Sequence, residues 1–266
     1  MTTSAVVNFK QESLWKFPMA TDLSKTSLEM LFANQVGMIY VPGFFSQIEC
    51  DLFVDCFDRT PMGFYESVEP PIGRSGITQF EAEGHDKNWY FDQVESHSEK
   101  LRQMCRFSRN PLTEVMNKIQ SSCGLEACRA QEPAYGTYFA GLIRQINKRA
   151  LLHSDYAPFQ AKGWSIERAY QQLAWNLYMT DFEGGEVRVY EKAWNFMSDE
   201  KYKLQNSYGY DYQLVAGKNY LTIKPEKGDL VLFNSQNFHE VMEARGRRLS
   251  AGSFFSKIDD SIQFWS

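Results

Sequence analysis

The part of the chain from Thr137 to Phe255 consists mainly of short apolar segments separated by tight turns. Gly184-Gly185 and Arg245-Gly246-Arg247 are two of these turns, and no helical period lies between most of the segments. Short strands without crossover helices favour antiparallel pairing and a sandwich. The sequence therefore predicts a mainly β fold with strands at 137–146, 174–180, 186–190, 220–223, 230–233, 241–244 and 249–255.

The first half of the chain, residues 1–134, has helical spacing of its apolar residues instead. Predicted helices lie at 24–34, 46–57, 90–107 and 110–124. Residues 59–88 are rich in Pro and Gly and show no period, and a long irregular segment in a compact chain is often functional. We interpret them as a lid-like loop within a single domain, 1–266, whose N-terminal helices pack on the sheet.

Charge and composition exclude several classes of partner. The net charge is −5 and the basic residues are scattered, so the sequence predicts no positively charged surface that could bind a phosphate backbone. Nucleic acid is therefore not an expected partner. No run approaches the ~18 apolar residues of a membrane span. The five cysteines lack a paired framework, so free thiols are predicted. These features together predict a cytoplasmic protein.

Three side chains form a candidate metal site. Asp155 follows His153 by two residues, just after a strand-like run, so extended backbone would point both to one face. His239, which follows the apolar segment 230–233, supplies a third ligand. Two imidazoles and one carboxylate form the facial triad that suits Fe(II). The alternative is that both histidines are hydrogen-bonded core residues; His85 and His97 are interpreted as surface residues.

A candidate anion site follows the candidate metal site along the chain. Arg248 and Ser250 would lie on one face of a strand, where the guanidinium and the hydroxyl could both donate hydrogen bonds to one carboxylate.

In their order along the chain, His153-x-Asp155, His239 and Arg248-x-Ser250 resemble the motifs of the Fe(II)/2-oxoglutarate-dependent oxygenase superfamily. The core is similar to its prolyl-hydroxylase-like and free amino-acid hydroxylase branches.

The resemblance covers residues 135–256 and implies a fold. That fold is a double-stranded β-helix, also called a jelly roll or cupin-like fold, with a helical layer. An aromatic, polar segment at 191–217 would be an insertion into this core.

The same resemblance implies cofactors and a reaction. Fe(II) would bind the triad, and 2-oxoglutarate would place its distal carboxylate on Arg248 and Ser250, with Tyr178 as a third contact unless it is a core tyrosine. With O2 the cosubstrate would be decarboxylated to succinate and CO2 while an unactivated C–H bond is hydroxylated. Related halogenases have Gly or Ala at the position of Asp155, so this carboxylate closes the halide position here. Desaturation and ring formation use the same ligands and stay open.

The substrate class is predicted from size and charge. A short acidic chain with a lid-like loop favours a small zwitterion such as a free amino acid or a derivative. Arg74, Arg144, Glu132 and Tyr156 are candidate contacts, although Arg74 could face solvent and Arg144 could be a structural ion-pair partner. Modification of a protein side chain is the second enzymatic hypothesis, and a non-catalytic jelly-roll binding protein is the third. Oligomeric state stays open.

Overall fold

The structure is a computed structural model that describes residues 5–10, 12–66 and 68–266. Four helices longer than one turn precede the main run of strands, and two short ones follow. The helices are α1 Lys25–Phe32, α2 Gln47–Phe57, α3 Lys87–Met104, α4 Pro111–Cys123, α5 Ala157–Gln160 and α6 Phe196–Asp199. Single 3₁₀ turns lie at Gln79–Ala82, Ser165–Arg168, Glu200–Tyr202 and Tyr212–Val215.

Strands run along the whole of the described chain. In order they are β1 Val6–Asn8, β2 Phe17–Ala20, β3 Val36–Val41, β4 Gly63–Phe64, β5 Gly73–Ser75, β6 Glu126–Arg129, β7 Gln131–Glu132, β8 Gly136–Thr137, β9 Leu142–Gln145, β10 Ala150–His153, β11 Leu173–Tyr178, β12 Glu183–Gly184, β13 Val187–Ala193, β14 Tyr220–Ile223, β15 Leu230–Asn234, β16 Asn237–Val241, β17 Ala244–Arg245, β18 Leu249–Ile258 and β19 Ser261–Trp265.

Two sheets build the core of the fold. The minor sheet has the order β1-β14-β13-β16-β10. The major sheet has the order β2-β3-β15-β11-β18-β9-β5-β4. Strand β19 also pairs with β18, and β6 pairs with β19. Pairing is antiparallel except between β2 and β3 and between β19 and β6. Two antiparallel sheets connected in this way form the predicted double-stranded β-helix.

The central strand β11 shows how the major sheet separates two apolar layers. Leu173, Trp175 and Leu177 pack into the cluster shared with the helices. Ala174 and Tyr178 belong instead to the cluster between the two sheets, because successive side chains of a strand point to opposite faces. The face of β11 that carries Ala174, Asn176 and Tyr178 is therefore the inner face, toward the minor sheet.

The helix predictions agree with the structure to within a few residues. Helix α2 begins with the expected capping box, in which Ser46 and Glu49 each accept the other's backbone N–H. Helix α4 begins at Pro111 and ends at Gly124, whose φ of 73° is the left-handed conformation that glycine adopts readily.

Some strand predictions need correction. The segment predicted as one strand at 137–146 is interrupted, because Gly141 has a φ of 89° and breaks the extended backbone. The strand predicted at 241–244 ends at Val241, since β16 begins earlier and carries His239 in its middle. The strands β6 and β19 were not predicted.

The segment 59–88 is more regular than its composition suggested. It contains the β4–β5 hairpin, and β5 pairs with β9, so part of the segment is an edge of the major sheet. No helix in the described part of the chain is long and apolar enough to cross a membrane.

His97 is not the surface residue that the sequence suggested. It is half-buried on α3 with its ring against Phe139, and its Nδ1 is buried without a hydrogen-bond partner among the described residues. Burial lowers the pKa of His97 to about 4. His85 is exposed as predicted and stacks on Trp89.

Candidate active site

His153, Asp155 and His239 converge where the end of β10 meets the middle of β16. The two strands pair with His153 opposite His239, and the imidazole centroids are 4.2 Å apart. Asp155 Oδ2 lies 3.7 Å from His153 Nε2 and 3.5 Å from His239 Nε2. One ligand atom from each of the three residues lies within 4.8 Å of the others, a spacing at which they could hold one metal ion.

Backbone hydrogen bonds fix the tautomer of both histidines. His153 Nδ1 lies 2.6 Å from the carbonyl oxygen of Leu151, and His239 Nδ1 lies 2.9 Å from that of Asn237. Because a carbonyl only accepts hydrogen bonds, each Nδ1 carries a proton, which leaves Nε2 as the atom that could coordinate a metal. The candidate donor set is therefore two imidazole nitrogens and a carboxylate, which fits Fe(II).

The protonation states favour metal binding near neutral pH. Burial, reinforced by the neighbouring His239, lowers the pKa of His153 to about 4. Burial acts to raise the pKa of Asp155, but attraction from His153 and His239 outweighs it and holds the pKa at about 2. Both groups are thus in the form that coordinates a cation.

Aromatic rings surround the candidate metal site, and sequence reasoning missed their roles. Tyr208, in the insertion, packs edge-on against His153 and accepts a hydrogen bond from the backbone N–H of Leu151. Phe233 packs against His239 from the major sheet. The only signal for Tyr208 was its place in an aromatic segment, which did not say what it would contact.

Arg248 is a buried cation without an anionic partner among the described residues. It is 2% exposed, its Nε donates to the carbonyl of Gly185, and its Nη2 donates to the Tyr178 hydroxyl at 3.3 Å. The guanidinium lies over the rings of Tyr178 and Phe182. Burial lowers the pKa of Arg248. An unpaired buried charge is costly, so this arrangement suits an anionic ligand.

Four of the predicted residues form one row across the major sheet. Tyr178 lies opposite Ser250, Ser250 lies opposite Arg144, and Arg144 lies opposite Arg74. Directly paired residues share a face of a sheet. Tyr178 lies on the inner face, so Ser250 and Arg144 lie there too, beside Arg248.

The remaining substrate candidates have other partners. Arg74 forms an ion pair with Glu81 and donates to the carbonyl of Gly76, so its charge is already matched.

Glu132 does not join the metal site. It accepts hydrogen bonds from Lys87, Tyr138 and the backbone of Ser165, which form a separate buried cluster.

Tyr156 is the only one of these three that adjoins the triad in sequence. It follows Asp155 and its ring lies beside Trp194 of the insertion.

The fold and the site define a class, the non-haem Fe(II)- and 2-oxoglutarate-dependent oxygenases. The solved structure of an N-substituted L-amino acid dioxygenase from Burkholderia ambifaria superposes with a TM-score of 0.63 over 91% of both chains, at 17% identity. The same enzyme in complex with α-ketoglutarate superposes at 0.62. At this level of identity the likeness establishes the shared fold.

The chain belongs to the family described as "Carrier-protein-independent halogenase WelO5", whose sequence profile matches residues 19–266. "Leucinostatins biosynthesis cluster protein S" of Purpureocillium lilacinum is 39% identical over 181 residues, 66% of this chain and 74% of that protein. "L-gamma-glutamyl-L-propargylglycine hydroxylase" of Streptantibioticus cattleyicolor is 24% identical over 84% of both chains. This chain is thus an oxygenase whose cofactors are Fe(II), 2-oxoglutarate and O2.

Proposed function

We propose that the enzyme hydroxylates an unactivated C–H bond of a small amino-acid-like molecule. One molecule each of substrate, O2 and 2-oxoglutarate would give the alcohol, succinate and CO2. The observation that carries this proposal is the triad itself: two Nε2 atoms converge on one carboxylate, near a buried arginine that forms no ion pair with any described carboxylate.

Each residue has a stated task in this proposal. His153, Asp155 and His239 would hold Fe(II), which with its cosubstrate supplies the oxidising power for breaking the C–H bond. Arg248 would bind the distal carboxylate of 2-oxoglutarate through its planar fork, with the hydroxyls of Tyr178 and Ser250 as further donors.

Asp155 supports hydroxylation over halogenation, although the family takes its name from a halogenase. A halide needs a coordination position that no protein ligand fills. The carboxylate of Asp155 lies within 3.7 Å of both Nε2 atoms and would fill that position on a bound metal.

The amino-acid-like substrate is supported by a relative, the hydroxylase from Streptantibioticus cattleyicolor that is named for a γ-glutamyl amino acid. Residues 59–88 would cover the cavity, because their strand β5 adjoins β9 and thereby Arg144. The five free thiols fit a reducing compartment such as the cytoplasm.

The test has two stages. Fe(II) and 2-oxoglutarate, added without oxygen, should give a weak visible charge-transfer band, and metal-loaded protein without this band would contradict the cofactor assignment. Free, N-acylated and γ-glutamylated amino acids are then screened with O2 for succinate formation and for a product 16 mass units heavier, the mass of one added oxygen atom. Turnover only on peptides or proteins would favour side-chain modification, and a chlorinated product in chloride buffer would contradict hydroxylation.

A further inference from the structure

We propose that Arg144 and Asn176 form a second carboxylate-binding site in the cavity, and that this site holds a carboxylate of the substrate. The inference rests on the proposed function and names the group by which the enzyme would recognise its substrate.

Arg144 and Asn176 meet on the inner face of the major sheet. They lie on β9 and β11, on either side of β18, and Arg144 Nη2 donates to Asn176 Oδ1 at 3.3 Å. The bridge passes over Gly252 of β18, where a Cβ would lie 3.0 Å from the amide oxygen and 3.3 Å from Nη2. A Cβ would also lie 2.6 Å from the backbone oxygen of Trp175, so glycine at this position makes room both for the neighbouring strand and for the bridge.

Arg144 forms no ion pair with a carboxylate in the described part of the chain. Within that part its Nε is buried without a hydrogen-bond partner. Arg74 and Arg247 show the contrast, since they pair with Glu81 and Asp58 respectively. Arg144 and Asn176 are only partly buried, so solvent reaches part of each side chain.

Arg144 is close enough to the rest of the site to change its electrostatics. Its positive charge acts to lower the pKa values of four groups: His153, Asp155, Tyr178 and Arg248. With Ser250 and Tyr178, it therefore lies on the same inner face of the major sheet, near the candidate metal and 2-oxoglutarate sites.

Among the metal, its cosubstrate, Asp155, Arg248 and Arg144, one positive charge is left unmatched; Glu186 acts on Arg248 but forms no ion pair with it. Fe(II) contributes two positive charges and Arg248 and Arg144 one each, while Asp155 and the two carboxylates of 2-oxoglutarate contribute three negative charges. The metal with Asp155 matches one carboxylate of the cosubstrate, and Arg248 matches the other. The charge that remains is that of Arg144, which a substrate carboxylate would neutralise.

Arg144→Gln tests the proposal, because it removes the charge and keeps a hydrogen-bonding side chain. Arg144→Lys keeps the charge without the planar fork. Arg168→Gln is the matched control, since Arg168 is an exposed arginine that pairs with Asp259. Each variant is first titrated anaerobically with 2-oxoglutarate in the presence of Fe(II), following the visible band.

The first experiment compares two forms of each amino acid that the enzyme hydroxylates: the free carboxylic acid and the carboxamide made from it. Wild type and Arg168→Gln should prefer the acid by more than about thirtyfold in kcat/KM, equivalent to about 2 kcal/mol at ~1.4 kcal/mol per tenfold. Arg144→Gln should lower that preference below about threefold, and Arg144→Lys should restore part of it. The Kd for 2-oxoglutarate should change by less than about threefold in all variants.

A second arm needs no known substrate. Propionate, added to protein loaded with Mn(II) and 2-oxoglutarate, should raise the Tm of wild type and Arg168→Gln by about 2 °C or more once it exceeds its Kd tenfold. It should leave the Tm of Arg144→Gln unchanged.

The outcomes separate this inference from the proposed function. If no amino-acid derivative is hydroxylated but propionate stabilises only proteins that have Arg144, the carboxylate site stands and the proposed substrate class fails. Equal propionate effects in all proteins, or an unchanged acid preference in Arg144→Gln, would overturn the site. A large loss of 2-oxoglutarate affinity in Arg144→Gln would instead assign Arg144 to the metal-end carboxylate of the cosubstrate.

Discussion

Arg248→Ala should weaken 2-oxoglutarate binding far more than it disturbs the metal site. The substitution removes the one buried guanidinium that lies beside Tyr178 and Gly185 without an anionic partner in the described chain. Loss of one partner from a buried, hydrogen-bonded charge pair costs about 2–5 kcal/mol. At ~1.4 kcal/mol per tenfold, the Kd for 2-oxoglutarate should rise by about thirtyfold or more.

The assay is an anaerobic titration of 2-oxoglutarate into Fe(II)-loaded protein, followed by the visible band. Fe(II) affinity is measured separately and should stay near wild type, because Arg248 is not among the three candidate ligands. Arg248→Lys should recover only part of the loss, since an ammonium cannot reproduce the planar fork. Arg245→Ala and Arg247→Ala are matched controls, one exposed and one paired with Asp58, and should change the Kd by less than about twofold.

One result would refute this reasoning directly. If Arg248→Ala kept the wild-type Kd while Arg245→Ala or Arg247→Ala lost affinity, the cosubstrate would bind at another arginine. If none of the three variants lost affinity, the buried charge of Arg248 would serve the fold rather than a ligand.

Further predictions concern three other positions. Tyr178→Phe should raise the Kd for 2-oxoglutarate about twofold to tenfold in the same titration, because one hydrogen bond contributes about 1 ± 0.5 kcal/mol; an unchanged Kd would make Tyr178 a core residue only. Asp155→Ala should abolish hydroxylation as measured by product mass, and a search for chlorinated product in chloride buffer tests whether the freed position takes a halide; retained hydroxylation would show that Asp155 is not a ligand. Burial lowers the pKa of His97 to about 4. Between pH 6.5 and 4 the imidazole is therefore protonated in the unfolded chain but not in the folded chain, so the free energy of unfolding falls as the pH drops. His97→Gln should reduce this acid loss by at most about 2 kcal/mol, as measured by urea unfolding at pH 7 and pH 4.5; identical losses in both proteins would contradict the assignment.

Short-range patterns predicted the helices and several strands, although the strand that carries His239 was predicted too late in the chain. The two-residue spacing of His153 and Asp155 depends only on the alternation of a strand, and the capping box at Ser46 depends only on neighbours three residues apart. The helical layer and most strands of the jelly roll followed from the same local periods.

Long-range register could not be predicted in the same way. Ser250 and Arg144 lie side by side because β18 pairs with β9, and no local pattern states that pairing. Glu132 was proposed as a substrate contact, yet the charge that satisfies it comes from Lys87 on a distant helix. Asn176 carried no signal because a lone polar residue on a strand has no period of its own.

The most direct test of the central claim is a structure of the protein with Mn(II) and 2-oxoglutarate bound under anaerobic conditions. We predict one metal ion within about 2.0–2.3 Å of His153 Nε2, His239 Nε2 and a carboxylate oxygen of Asp155, near the bond lengths of comparable nitrogen and oxygen sites. The distal carboxylate of 2-oxoglutarate should lie on the guanidinium of Arg248. A metal bound elsewhere, or a cosubstrate that does not contact Arg248, would contradict the account.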